Sequence, residues 1–375
     1  MKKIIAAALS VCVVSASAPA FAQQSQVSAV TAQSPVTYTL THSDAVKMAL
    51  ENSPLLEINQ YNQKANKKNI ESAQLQEKSY RNVPVKAASS FESFCLKNGY
   101  YVKAAQTSYD LSVLEEKKIQ NSVTYKTTEA YYNYILAQKT LNAARNAYNL
   151  SAANLTVVEA QKELGIISTL DFENAQLATD IAKNAVSQNE RNLKTAEDSL
   201  KIQLGIAGKN CQLNIFEDVI YEEFTADTAI DIKNATDTRY DITALKKSTD
   251  LAKEYLDLSN VLTTSSAVYN SAYASYMESK HNYDNTKDNI ALMINSYYNN
   301  ILTSNENLGI AQKSYELKLK KYNSDKLKYE LGMITNLELT ETINGLYEAQ
   351  VQYANAKIAY KLAVEKYRYE ITTGL

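Results

Sequence analysis

Apolar positions along this chain fall three and four residues apart over unusually long stretches. The clearest seam runs Val123, Thr127, Ala130, Tyr134, Ala137, Leu141, Ala144 and Tyr148, with Leu155 a heptad further on. This alternation predicts a coiled-coil helix from about Tyr101 to Leu164. Tyr131 and Ile135 begin a second stripe beside it, as expected of a helix with a neighbour on each side. A return helix carries Ala182, Val186, Leu193, Ala196, Leu200 and Leu204, and stops at Gly205 and Gly208. Alternation of Cys211, Leu213 and Ile215 predicts one short strand, the only β signal. Helical spacing then resumes from about Thr228 to Leu258, breaks near Ser259 to Ser266, and continues to Leu331. A second return helix carries Tyr347, Val351, Ala354, Ile358 and Leu362 and ends near Gly374. Ahead of all this, Ser43 is expected to cap a helix through Leu50, and Pro54 to restart it as far as about Lys78. From Tyr80 to Gly99 the periodicity dissolves into what reads as a loop.

The second half repeats the first. Glu163-Leu164-Gly165-Ile166-Ile167-Ser168-Thr169-Leu170-Asp171-Phe172 returns as Glu330-Leu331-Gly332-Met333-Ile334-Thr335-Asn336-Leu337-Glu338-Leu339. Upstream, Ala130-Tyr131-Tyr132-Asn133 matches Ser296-Tyr297-Tyr298-Asn299. Each copy of the motif predicts a helix-to-helix turn. The glycine ends one helix in a left-handed cap, and Ser168 or Thr335, with an acid three residues on, starts the next. The sequence therefore predicts an all-α fold of two tandem antiparallel coiled-coil hairpins, with at most one short equatorial strand. Residues 40–205 form the first repeat, 206–227 a linker and 228–375 the second.

Composition supports long helices: the 375 residues include only 8 Gly and 4 Pro. The 28 Tyr suit helices packed on one side and wet on the other. A helix of about 60 residues is ~90 Å long at 1.5 Å per residue, so the molecule should be a rod whose uncovered seams need partners. Net charge is only -2 with the signs interspersed, which offers nucleic acid no basic field. Lys2-Lys3, the apolar run from Ile4 to Val14 and Ala20-Phe21-Ala22 form an export signal over residues 1–22, followed by a disordered leader over 23–39. After cleavage Cys95 and Cys211 remain, which leaves one disulfide or none, and two cysteines in so large a chain more often mean none. His42 and His281 have no metal-ligand spacing, and no catalytic triad or phosphate loop is readable. The residues give no sign of an enzyme or a cofactor.

Two hairpins, a Leu-Gly-x-x-[Ser/Thr]-x-x-[Asp/Glu] tip in each and an export signal together resemble the TolC-type outer-membrane efflux family, from about Leu40 to Leu375. The resemblance implies a homotrimer whose hairpins form a twelve-helix tube. It further implies a membrane β-barrel at one end, with a periplasmic adaptor and an inner-membrane pump at the other. Adaptor docking would fall on the tips, at Leu164, Gly165, Ile166, Leu331, Gly332 and Met333. Aperture lining would fall on Glu338 and Glu341, with Tyr329 and Asp171 as a latch. Ile334 stands where the family has a latch arginine. On the residues alone, Glu338 and Glu341 are more commonly acids of a first helical turn, where they meet the macrodipole.

Barrel strands are the exception to the resemblance. The family places two between the first and second helices of each repeat, and a spanning strand needs about 9–11 alternating residues. Tyr80 to Gly99 does not alternate, and Ser259 to Ser266 is too short. The implied function is a duct component of an efflux or type I secretion system. The alternative is an exported structural or adaptor-like coiled coil without transport activity.

Overall fold

The structure is a computed structural model that describes residues 36–375 except 84–89, 216–218, 220 and 263–265. The export signal lies outside the described residues. Nine helices and two short strands are present among the described residues: β1 (Val36–Thr39), α1 (His42–Glu51), α2 (Pro54–Arg81), α3 (Phe91–Lys97), α4 (Tyr100–Glu163), α5 (Thr169–Gln203), β2 (Cys211–Asn214), α6 (Thr228–Thr238), α7 (Tyr240–Ser259), α8 (Ala267–Glu330) and α9 (Asn336–Glu370).

The two repeats are matched in length. Helices α4 and α8 each have 64 residues, and α5 and α9 each have 35. At 1.5 Å per residue the long pair extend ~96 Å. Each long helix is flanked by two shorter ones set end to end. Helix α5 covers the tip-proximal half of α4 and α2 covers the other half, while α9 and α7 do the same for α8.

These composite columns are joined by specific contacts at the molecule's equator. Asn52, which closes α1, donates its side-chain amide to the Leu204 carbonyl at the end of α5 (2.8 Å). At the corresponding place in the second repeat, the Tyr240 amide donates to the Thr373 carbonyl (3.2 Å). Arg239 lies buried there, bonded to the Glu370 carboxylate (2.6 Å) and to Asp241 (3.0 Å). Burial opposes its charge, but Asp241 and Glu370 hold the guanidinium pKa above its ordinary value.

The main core also sits at the equator. Tyr131, Tyr134, Ile135, Leu200, Leu204 and Ile206 pack with Leu40 and Leu213. Tyr131 and Tyr134 give their buried hydroxyls to the carbonyls of Leu40 and Leu213 (3.4 and 3.2 Å). A second core of Ile290, Ile294, Ile301, Tyr360, Val364 and Tyr367 serves the other repeat. Along the predicted α4 seam, Val123, Thr127, Tyr134, Leu141 and Ala144 are buried.

Four local expectations are corrected. Thr41, not Ser43, caps α1, because its hydroxyl and the Asp44 carboxylate close a reciprocal capping box. The single expected strand has a partner: β1 pairs in parallel with β2, Val36 opposite Cys211. Residues 91–97 of the expected loop form α3. The helix expected from Thr228 to Leu258 breaks at Arg239, whose extended backbone turns α6 into α7. Cys95 and Cys211 are both buried and free, in α3 and β2, so they form no disulfide.

Candidate functional site

Both tips are built as their sequences dictate. At the first, Gly165 takes φ 71° and the Ile166 amide reaches back to the Gln161 carbonyl (2.9 Å). At the second, Gly332 takes the same φ and the Met333 amide reaches the Lys328 carbonyl (2.8 Å). These bonds satisfy the last carbonyls of α4 and α8. The reversal that follows leaves matched apolar side chains in water. Leu164 and Leu331 are 74% and 66% exposed, and Ile166 and Met333 are 67% and 69% exposed. Leu170 and Leu337 extend each set along the next helix. Isolated exposed leucines are ordinary, but the same three positions exposed at both tips form a repeated surface.

The acids start the return helices. Ser168 donates to the Asp171 carboxylate (2.7 Å) and accepts from the Asp171 amide (3.1 Å). Glu338 accepts from the Thr335 amide (2.7 Å) and hydroxyl (2.9 Å). The Thr335 backbone bond, then its hydroxyl, hold the Glu338 carboxyl below its ordinary pKa. Glu341 is exposed one turn on, on the same side of α9. The structure therefore gives Glu338 a capping role while leaving it and Glu341 open to solvent.

Tyr329 and Asp171 do not meet. Tyr329 is half-buried, with its hydroxyl 3.5 Å from Gln161 Oε1 on α4, and burial raises its pKa. Further contacts near the tips were not anticipated from the sequence. The Asn154 amide donates to Asn336, joining α4 to the start of α9. Asn189 donates to the Tyr347 hydroxyl, joining α5 to α9 (3.3 Å). Asp325 binds Lys321, Lys328 and the Thr342 hydroxyl, which locks α8 to α9 just behind the acids. The Lys321 bond, then the Thr342 bond, depress the Asp325 pKa to about 2. Apolar support here is thin, with Ala147, Leu339 and Ile343 as the buried cluster. The two hairpins are thus joined at the tips mainly by polar side chains, while each large equatorial core belongs mostly to one repeat, with Ile358 of α9 reaching into the first.

No family model and no curated protein matches the sequence. Solved structures do. The chain is similar to the transmembrane channel CusC, with a TM-score of 0.71 and 14% identity over 89% of this chain and 92% of that one. Similarity to the outer-membrane protein VceC of Vibrio cholerae gives 0.71 and 13%, over 89% and 96% of the two chains. The open-state outer-membrane channel MtrE of Neisseria gonorrhoeae gives 0.70 and 13%, over 89% of each chain. The fold is that of the TolC-type outer-membrane channels. Among the described residues no helix is long and apolar enough to cross a membrane, and no cluster of metal-ligating side chains occurs.

Proposed function

We propose that the chain is the duct component of an efflux or type I secretion assembly in the cell envelope. In this reading it works as a homotrimer whose tips meet a periplasmic adaptor, itself joined to an inner-membrane pump. The observation that carries this reading is the pair of open edges on a single copy. The α5–α2 column packs on α4, α4 packs on the α9–α7 column, and that column packs on α8. The outer sides of α8 and of the α5–α2 column remain uncovered in one copy.

Both edges carry exposed apolar residues, those of α5 beside a groove shared with the start of α9. On α8 these include Leu292, Ile310 and Leu317, on α5 Leu170, Leu177 and Ile181, and on α2 Tyr61 and Leu75. Two different surfaces that complement each other make a heterologous contact, and such contacts close into a ring when the rotation between copies divides a full turn. Three copies follow from the resemblance to the trimeric ducts. Ile181 and Leu317 each lie ~18–20 Å from their tips at 1.5 Å per residue, so neighbouring copies bring them to one height.

Light scattering on the exported chain should give three times the mass of one copy. A paired Ile181→Cys and Leu317→Cys variant should oxidise to a covalent trimer. A stable folded monomer at micromolar concentration would sink the duct reading. Replacing Leu164, Ile166, Leu331 and Met333 by Ser should abolish adaptor capture while leaving the trimer intact; loss of the trimer instead would assign those side chains to assembly.

A further inference from the structure

We propose that this chain builds its duct without entering a membrane, so that the end opposite the tips opens into water. The inference rests on the duct reading above and concerns the place where a membrane barrel would be inserted. Two links reach that end, residues 82–90 between α2 and α3 and residues 260–266 between α7 and α8. A barrel hairpin must cross the bilayer twice, at about 9–11 residues per crossing. Neither link is long enough to go out and return.

Among the described residues, what occupies the end is folded helix. Helix α3 lies against both α4 and α7. The Phe91 ring meets Tyr255 of α7 edge-on (centroids 5.3 Å apart), and Tyr100 of α4 meets the same ring at 5.2 Å. Cys95 is wholly buried behind them, and Lys97 caps the preceding turn by donating to the Val83 carbonyl (3.1 Å). Gly99 at φ 75° then turns α3 directly into α4. An ion pair joins Lys103 to Glu254, and another joins Lys247 to Asp110 (2.9 Å), so α4 and α7 are tied together below this aromatic knot. At the other link the Leu262 amide donates to the carbonyl of buried Ser259 (2.9 Å). Local contacts thus hold Val83 and Leu262, where the described residues enter the two links.

The outward surfaces near this end mix exposed apolar residues, Leu75, Val261, Val268 and Tyr273, with charged ones, and so form no continuous apolar band. Lys67, Lys68 and Glu71 on α2 and Glu278, Lys280 and Asp284 on α8 are all exposed. Charged side chains facing lipid are strongly disfavoured, and a lipid-facing band would be apolar. Passage through a bilayer therefore belongs to another component, and this chain supplies the water-filled length leading to it.

The test uses the exported chain without detergent. Its scattering mass should be the same with and without detergent. It should stay in the dense fraction when phosphatidylcholine–phosphatidylglycerol vesicles are floated, and should add no conductance steps to a planar bilayer. Carbonate-resistant flotation, or step conductance, would overturn the proposal. A monomeric mass with no flotation would overturn the duct reading and leave the membrane inference standing. Alkylation of Cys95 tests the knot. It should be slow in the native chain and at least ~10-fold faster in Phe91→Ala with Tyr255→Ala; rapid alkylation of the native chain would show that α3 is not packed on α4 and α7 in solution.

Discussion

Gly205 and Asn52 approach so closely that a methyl group on the glycine would lie 2.6 Å from the Asn52 Cβ. The contact sits where α5 ends and α1 hands over to α2, beside the Asn52-to-Leu204 hydrogen bond. Gly205 is held there by two requirements, since its φ of 69° also disfavours any side chain. Gly205→Ala should therefore destabilise the chain by about 2–4 kcal/mol, from overpacking added to the left-handed backbone. Gly165→Ala, whose methyl would enter open space, should cost only about 1 kcal/mol. Chemical denaturation of the two variants checks the ranking.

The pair at the second joint is more costly to break. Arg239 and Glu370 have side chains 8% and 9% exposed, and the Tyr297 hydroxyl also lies 3.3 Å from the Glu370 carboxylate. Glu370→Ala leaves a buried guanidinium with only Asp241 and backbone to balance it, so a loss of about 3–5 kcal/mol is expected. Because Arg239 alone divides α6 from α7, amide exchange should quicken first across residues 228–259. Uniform exchange through both repeats would remove that assignment.

Asp325 predicts an acid transition. A carboxyl whose folded pKa lies at about 2 contributes stability that is fully present above the ordinary carboxylate value near 4 and is lost as pH falls towards 2. Thermal unfolding of the native chain and of Asp325→Asn should therefore differ at pH 6 and converge near pH 2. A difference that persists at pH 2 would mean that the site acts through packing.

Three copies closed around an axis would bring Glu338 and Glu341 together as six carboxylates, which attract cations. Calorimetry with calcium or cobalt should detect binding to the oligomer, weakened in Glu338→Gln with Glu341→Gln. Equal binding by both proteins would leave Glu338 as a helix cap alone.

The hairpins and tips were legible because their determinants are local. A glycine after a periodic run, and a hydroxyl three residues before an acid, specify the turn wherever they occur. Strand β1 was hidden because Val36–Thr39 gains its partner only from residues 211–214, far along the chain. Helix α3 is only seven residues long, less than two full turns of periodicity. The break at Arg239 carries neither glycine nor proline, since a distant carboxylate produces it. The exposed positions of Glu338 and Glu341 at the start of α9 follow from the local turn motif, but the placement of Tyr329 beside Gln161 depends on how α4 and α8 align. Similarly, the Lys321–Asp325–Thr342 lock draws on two helices, and its three residues are unremarkable in either one.

Equal helix lengths in the two repeats restrict how the molecule can change size. A heptad added to α4 alone would carry its tip past the other and leave α5 without a matching start. To keep both tips level, the same insertion must enter α4, α5, α8 and α9 together. The reach of the rod is thus copied four times within one gene, and a single insertion or deletion yields a lopsided molecule instead of a longer or shorter one.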